Sequence, residues 1–370
     1  MKKIGIDARL YSQTGVGTYI RNLIYFLIKE KTEKLLFYLY VLPQDINKLP
    51  KLPNNFIIRS SPYIWHTFQE QLFFLFTLLK DNLDLMHFTY FGYPICYWKP
   101  FVSTIHDVTP LLFKTGKAST KSRFIYGAKL FFFKIVIYFQ VRNSKVIITP
   151  SLTIKQSLIQ LYGKKYENKI KPIFEGVDNL LSKTKENSNL LKNFSYLYLI
   201  YVGNFYPHKN ITRLIYAFAK LKSEIKLILI GPHDFFADKI KTQISEMHLE
   251  NKILFFHNAS VSDLKFFYKN AVGLIHPSLS EGFGLPILEA KSLNCPLIVS
   301  DIPVFHELID NNAIFFNPEN EKDIVTKIQL FTQNTQRKNN YFSNNIKSEM
   351  SFKTMTNHTL SIYKKYTIGT

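Results

Sequence analysis

The chain has 370 residues, more than one hydrophobic core usually spans, so two domains are expected. Its 46% hydrophobic and 20% charged residues exclude a disordered chain, and two cysteines, Cys96 and Cys295, cannot build a disulfide framework or a cysteine-type zinc site. The net charge of +20 is uneven, with 25 basic against 10 acidic residues over 1–175 and 22 against 17 over 176–370; a field of one sign attracts anionic partners such as nucleic acid, acidic lipid or a phosphorylated substrate, although a solvated basic surface accounts for it equally.

Along the chain, short apolar runs alternate with amphipathic stretches of helix length. The first series reads as strands at 3–6, 35–42, 56–59, 83–88, 101–106, 145–149 and 170–174, with helices at 16–31, 63–80, 120–142 and 151–162. Ser151 suits the cap of the last helix. Asp7 and Arg9 interrupt any apolar leader at the start. Lys129 and Lys134 interrupt the longest apolar run, 124–141, so no membrane span is expected. A polar, lysine-rich stretch at 179–195 reads as a linker. The alternation then restarts, with strands at 198–202, 227–230, 253–256, 273–276 and 297–300 and helices at 210–221, 235–247, 262–270, 286–293 and 321–332. Two successive series of this kind imply two doubly wound α/β domains, 1–178 and 196–350, followed by a terminal helix over 351–370. Parallel sheets bind ligands beyond the carboxyl ends of their strands, so the expected site is a cleft between the two domains.

The strongest pattern is HPSLSEGFGLPILE at 276–289. A strand ends near His276, a glycine-containing loop follows, and a helix opens with Pro286 in its first turn, where proline is tolerated. Gly282 and Gly284 let backbone approach a ligand, and the first N–H groups of the helix suit a phosphate. Glu281 and Glu289, eight residues apart, can reach different parts of one elongated ligand. A plain strand–turn–helix with a surface glutamate accounts for the same residues equally well.

This spelling resembles the signature of retaining glycosyltransferases of the GT-B fold, the group that includes glycogen synthases and bacterial mannosyltransferases. Other segments are similar to that family in the same order: IGIDAR at 4–9 with TGVGTY at 14–19, THE strand-end element TIHDVTP at 104–110 read with Ile105 between Thr104 and His106, YVGNFYPHKN at 201–210, LIGP at 229–232 and DIPVFHE at 301–307. The tail from 351 resembles a terminal helix that crosses back onto the first domain. The resemblance implies a GT-B fold and transfer of a mannose- or glucose-type hexose from a nucleotide diphosphate sugar to a saccharide or lipid-linked saccharide, in envelope polysaccharide synthesis.

It also implies the site. His106, Glu281 and Lys209 are the expected catalytic residues. Gly15, Gly17, Gly203, Asn204, His208, Gly231, Gly282, Phe283, Gly284, Leu285 and Glu289 are the expected donor-binding ones. Glu289 would bind the ribose, Glu281 the sugar hydroxyls, Lys209 the diphosphate, and His106 would line the sugar. Asn204 and His208 stand where the family often carries an arginine, and neither replaces a guanidinium fork. No Asp-x-Asp triplet occurs, so a metal-independent enzyme without a cofactor is expected. Read from the residues alone, His106 is a strand-end histidine, Asp107 orients it or caps the next turn, and the glycines at 15 and 17 form a turn before a helix.

The basic first half is expected to face an anionic or membrane-bound acceptor, with the loop 114–123 at the cytoplasmic face of the membrane and no nucleic acid bound. Two other readings stay open: an epimerase or hydrolase of the same fold, and a non-catalytic nucleotide- or glycan-binding protein.

Overall fold

The structure is a computed structural model that describes residues 1–112, 123–309, 313–333 and 346–368. The chain divides into two compact units, Met1–Gly176 with Ser348–Thr370, and Val177–Lys347.

The first unit runs β1 (Lys2–Asp7), α1 (Val16–Leu27), β2 (Leu35–Val41), β3 (Phe56–Ser60), α2 (Leu75–Asp81), β4 (Leu85–Phe88), β5 (Phe101–Thr104), α3 (Thr109–Leu112), α4 (Arg123–Asn143), β6 (Val146–Thr149), α5 (Leu152–Tyr162) and β7 (Ile170–Pro172). The strands form one parallel sheet in the order β3-β2-β1-β4-β5-β6-β7. Every residue of β4, β5 and β6 is buried, as expected for strands covered on both faces. The Ser151 hydroxyl accepts the Ile154 N–H and caps α5, and Gly163 ends that helix at φ 101°.

The second unit begins with α6 (Asn179–Lys183). It continues β8 (Tyr198–Val202), α7 (Ile211–Lys220), β9 (Lys226–Gly231), α8 (Phe235–Glu246), β10 (Ile253–His257), α9 (Val261–Asn270), β11 (Gly273–His276), α10 (Leu285–Ser292), β12 (Leu297–Ser300), α11 (Pro303–Leu308), β13 (Ile314–Phe316) and α12 (Glu321–Gln333). Its parallel sheet has the order β10-β9-β8-β11-β12-β13. The order reverses between β8 and β11, which makes the loops leaving those two strands the expected ligand position in this unit. The buried residues of α7, Ile211, Leu214, Ile215, Ala217 and Phe218, recur at helical spacing and pack with β8 and β9 into one core.

The last helix, α13 (Phe352–Thr367), belongs to the first unit and packs on α1. Phe352, Met355, Thr356, Thr359, Leu360 and Tyr363 form its buried stripe. Tyr363 Oη meets His87 Nδ1 at 2.5 Å, and His87 Nε2 meets Thr104 Oγ1 at 2.8 Å, so the helix is tied to β4 and β5 by polar contacts as well as apolar ones.

Several expectations are corrected. The stretch 179–195 is not an open linker: α6 and a 3-10 turn at Ser188–Lys192 dock on α9. Lys265 donates to the Ser182 carbonyl at 2.9 Å and Asn187 to Asp263 at 2.7 Å. Leu181 is buried and Phe194 packs on Phe267 of α9, ring centroids 5.0 Å apart, so the docking is apolar as well as polar. The helix expected over 63–80 starts at Phe68 and runs to Asp81, with a π-helical segment at Glu70–Phe74 leading into α2. Glu70 there turns inward to Arg9, whose guanidinium also donates to the carbonyl of Tyr63, so the chain before the helix is held as a loop. β13 and α11 are further elements of the second unit, and β13 is the edge strand of its sheet. The basic loop 114–123 lies outside the residues whose side chains are described. No helix among the described residues is long and apolar enough to cross a membrane.

Candidate active site

In the second unit two loops meet beyond the β8–β11 switch. Gly203 leaves β8 at φ 150°, and its N–H donates to the Ile230 carbonyl at 3.0 Å. A side chain on Gly231 would come within 2.2 Å of the Gly203 carbonyl oxygen, so both positions need glycine for two backbones to touch. The Leu279 N–H donates to the His208 carbonyl at 2.8 Å and joins the β8 loop to the β11 loop.

Asn210 stands at the entry to α7, but it is not the side-chain cap its position suggests. It adopts φ 61°, and its amide donates to the carbonyls of Pro277 at 3.1 Å and Pro318 at 2.8 Å. Its role is to tie three loops together just behind Lys209.

Lys209 itself ends a 3-10 turn at Pro207–Lys209, and its ammonium donates to Glu281 Oε1 at 2.7 Å. A cation at a helix N-terminus opposes the dipole, and here the carboxylate is the anion that shares the position. The His276 Nε2–H donates to the same Glu281 oxygen at 2.8 Å and the Ser278 hydroxyl at 2.7 Å. Burial works to raise the Glu281 carboxyl, but the Lys209 charge and the bonds from His276 and Lys209 outweigh it and hold it well below the usual carboxylate range. Three donors thus converge on Oε1 of an ionised carboxylate, while Oε2 has no hydrogen bond among the described residues.

Burial, with Lys209 adding to it against the opposing pull of Glu281, pushes the His208 imidazole down to about 4. His208 is therefore neutral near pH 7. Its Nδ1 and the Asn204 Oδ1 are buried without a hydrogen bond. Such orphaned polar atoms beside Lys209 fit a site that awaits a polar ligand.

On α10, Glu289 is half-buried and its Oε2 accepts from the Tyr268 hydroxyl at 2.7 Å. Burial raises its carboxyl to about 7, the Tyr268 bond pulls it back, and Asp178 raises it further. Gly284 opens the helix at φ 110°, followed by Leu285. Gly282 lies in the buried part of the loop, and Phe283 is turned into the protein at 4% exposure.

In the first unit, Gly15 is exposed at φ 63° and stands at the entry to α1. Gly17 is buried, and a side chain there would meet the Tyr11 carbonyl at 2.8 Å and the Leu10 carbonyl at 2.9 Å. Packing of α1 on its own preceding turn explains Gly17 without a ligand. His106 lies at the end of β5 with both ring nitrogens engaged: Nε2 at 2.9 Å from the Thr89 carbonyl and Nδ1 at 2.9 Å from Glu175 Oε1. A carbonyl only accepts, so the Nε2–H donates to Thr89. Both ring nitrogens of this imidazole are thus engaged within the first unit. Asp107 accepts the Thr109 N–H at 2.8 Å and caps the turn, leaving Glu175 as the partner of His106.

Sequence reasoning missed Glu175, His276, Ser278 and Tyr268 as members of these clusters. His276 and Ser278 had a usable signal, since they flank Glu281 within the same short motif. Glu175 had none, being 69 positions from His106. Among the described residues no three His, Cys, Asp or Glu side chains gather as a metal site.

Two α/β units, each built on one parallel sheet, have the architecture of the GT-B fold. Residues 182–349 match the family model of the glycosyl transferases group 1. The O-antigen chain mannosyltransferase RfbU of Salmonella typhimurium is 29% identical over 315 residues, covering 84% of this chain and 81% of that protein. The fold is shared with sucrose-phosphate synthase from Thermosynechococcus elongatus, at a TM-score of 0.78 and 16% identity over 99% of both chains. It is shared too with HepE of Anabaena, solved in complex with UDP and glucose, at a TM-score of 0.74 and 16% identity over 99% of this chain and 100% of that one.

Proposed function

We propose that this glycosyltransferase is a retaining, metal-independent hexosyltransferase. It takes a mannose- or glucose-type residue from a nucleotide diphosphate sugar and places it on a saccharide or lipid-linked saccharide in envelope polysaccharide synthesis. The observation that carries this reading is the ionised Glu281, pinned through one oxygen by Lys209, His276 and Ser278, with its second oxygen unbonded. The mannosyltransferase name of RfbU supports the mannose type, and the UDP and glucose bound to HepE support a nucleotide sugar as donor.

In this reading the second unit holds the donor. Lys209 meets the diphosphate, Glu281 Oε2 accepts from a hydroxyl of the hexose, and Glu289 accepts from the ribose. The bond from the anomeric carbon to the diphosphate oxygen breaks, and its electron pair leaves with the diphosphate. The acceptor hydroxyl oxygen bonds to the anomeric carbon on the same face, and its proton passes to the departing phosphate oxygen. Placement and charge supply the rate: Lys209 offsets the charge that builds on the leaving group.

The first unit takes the acceptor. Its excess of basic residues supports an anionic or membrane-bound one, and its exposed Trp98, Phe131 and Phe132 suit contact with acidic lipid at the cytoplasmic face. Sedimentation with acidic vesicles at low salt tests that part, and absence of binding removes it.

The test of the whole reading is a thermal-shift panel with UDP, GDP, ADP, CMP and dTDP. A ligand at a hundred times its dissociation constant stabilises by about 2.7 kcal/mol, a shift of several degrees in a unit this size. One clear responder identifies the donor base, and transfer from its hexose conjugates follows. No responder rejects the nucleotide donor. Release of free hexose without dependence on an acceptor would instead indicate a hydrolase.

A further inference from the structure

Of the three donors on Glu281 Oε1, one has a second demand on it. In the reading above, which this inference rests on, Lys209 must also serve the donor diphosphate. A single ammonium shared between a carboxylate and a diphosphate holds each less firmly than either alone. The carboxylate then depends on its other two bonds, from His276 Nε2 and Ser278 Oγ.

We propose that His276 is a positioning residue that keeps Glu281 Oε2 presented to a hydroxyl of the transferred hexose while Lys209 engages the diphosphate. His276 is the last residue of β11 and 1% exposed. Its ring is stacked on Tyr201, with centroids 5.5 Å apart and planes at 21°, and it meets the edge of Phe305 at 5.6 Å. Held between these rings, the imidazole cannot turn, so its Nε2–H is a fixed donor on the rigid end of a buried strand. Its other nitrogen, Nδ1, is buried without a partner. An unpaired buried acceptor costs stability, and a phenylalanine would fill the same slot without that cost. The imidazole earns its place through the bond to Glu281.

Phosphate and hexose are separate parts of the donor, so the two roles separate experimentally. The probes are UDP and GDP for the diphosphate, and UDP-glucose and GDP-mannose for the diphosphate with a hexose. His276→Phe keeps the ring packing and removes the donor; His276→Gln restores an N–H near the position of Nε2; Ser278→Ala removes the companion bond. For whichever nucleotide the wild type binds, His276→Phe is expected to leave the dissociation constant of the nucleoside diphosphate within twofold and to lower kcat with the hexose conjugate at least tenfold. His276→Gln is expected to recover at least a third of the wild-type kcat. If His276→Phe does not fold, a loss of threefold or more in kcat for Ser278→Ala, at unchanged nucleotide affinity, supports the same anchoring.

Unchanged kcat in the folded variants overturns the proposal. So does a parallel loss of nucleoside diphosphate affinity, which would make His276 a support of the whole site. A wild type that binds none of UDP, GDP, ADP, CMP and dTDP rejects the donor reading itself, a result separate from any effect of the variants.

Discussion

The Tyr268 hydroxyl donates to Glu289 Oε2 at 2.7 Å, so the second glutamate of the motif is bound to the helix before it. Burial holds that carboxyl at about 7, against an ordinary value of 4.5. The folded chain keeps this proton where the unfolded chain has already lost it. The contribution to stability is therefore whole below about 4.5 and declines as the pH climbs toward 7. Ribose hydroxyls donate, and the ionised carboxylate accepts them better. Nucleoside diphosphate binding should tighten between pH 6 and pH 8, and Glu289→Gln should flatten that change. Calorimetric titration at the two pH values checks it.

Lys209→Met should weaken the responding nucleoside diphosphate by at least tenfold. A hydrogen bond to a charged group contributes about 1.5–3 kcal/mol, which corresponds to roughly ten- to a hundred-fold in affinity. The loss should shrink as salt rises, because part of it is charge attraction. Titrations at low and high ionic strength decide the matter.

Arg9 is 2% exposed and donates to Asp7 at 2.6 Å and Glu70 at 2.7 Å, with its guanidinium over the Phe74 ring. Arg9→Ala would leave two carboxylates in a place that water scarcely reaches. A loss of about 3–5 kcal/mol is expected, seen as a fall of roughly ten degrees in the unfolding of the first unit. Glu70→Gln should cost less, since Asp7 still balances the guanidinium. Scanning calorimetry of both variants gives the comparison.

Tyr363→Phe should destabilise the first unit by about 1–3 kcal/mol, because His87 loses a buried partner on Nδ1. Nucleotide affinity, which belongs to the second unit, should not move. A change in that affinity would contradict the assignment of the donor to residues 177–347.

His106→Gln and Glu175→Gln should be non-additive. The two side chains share one contact of 2.9 Å, so the second substitution should add little to the first. Full additivity in a double-mutant cycle of transfer rates would mean that the contact has no functional weight.

The alternation of buried strands and amphipathic helices was readable because a parallel sheet covered on both faces writes itself as apolar runs. Glu281, Lys209 and Glu289 were readable because one short segment spells their spacing. What escaped reading depends on distance or on polar packing. The docking of 179–193 on α9 is made in part by Lys265, Asn187 and Lys269, side chains indistinguishable in sequence from solvated ones. The inward turn of Glu70 requires knowing that Arg9, 61 positions earlier, waits for it. Asn210 looks like a cap because caps are what asparagine usually makes there, and only the neighbouring loops reveal its three-way tie.

The helix α13 has a consequence for synthesis on the ribosome. Residues 177–347 form one uninterrupted unit, whereas the first unit needs Ser348–Thr370 to cover α1. Translation proceeds at about 5–20 residues per second and domains generally fold as they emerge. Residues 1–176 must therefore wait, with an apolar helix face bare, until residues 348–370 have emerged. The second unit can reach its native state before the first does, and a nascent chain stalled short of residue 348 would carry a finished second unit and an open first one.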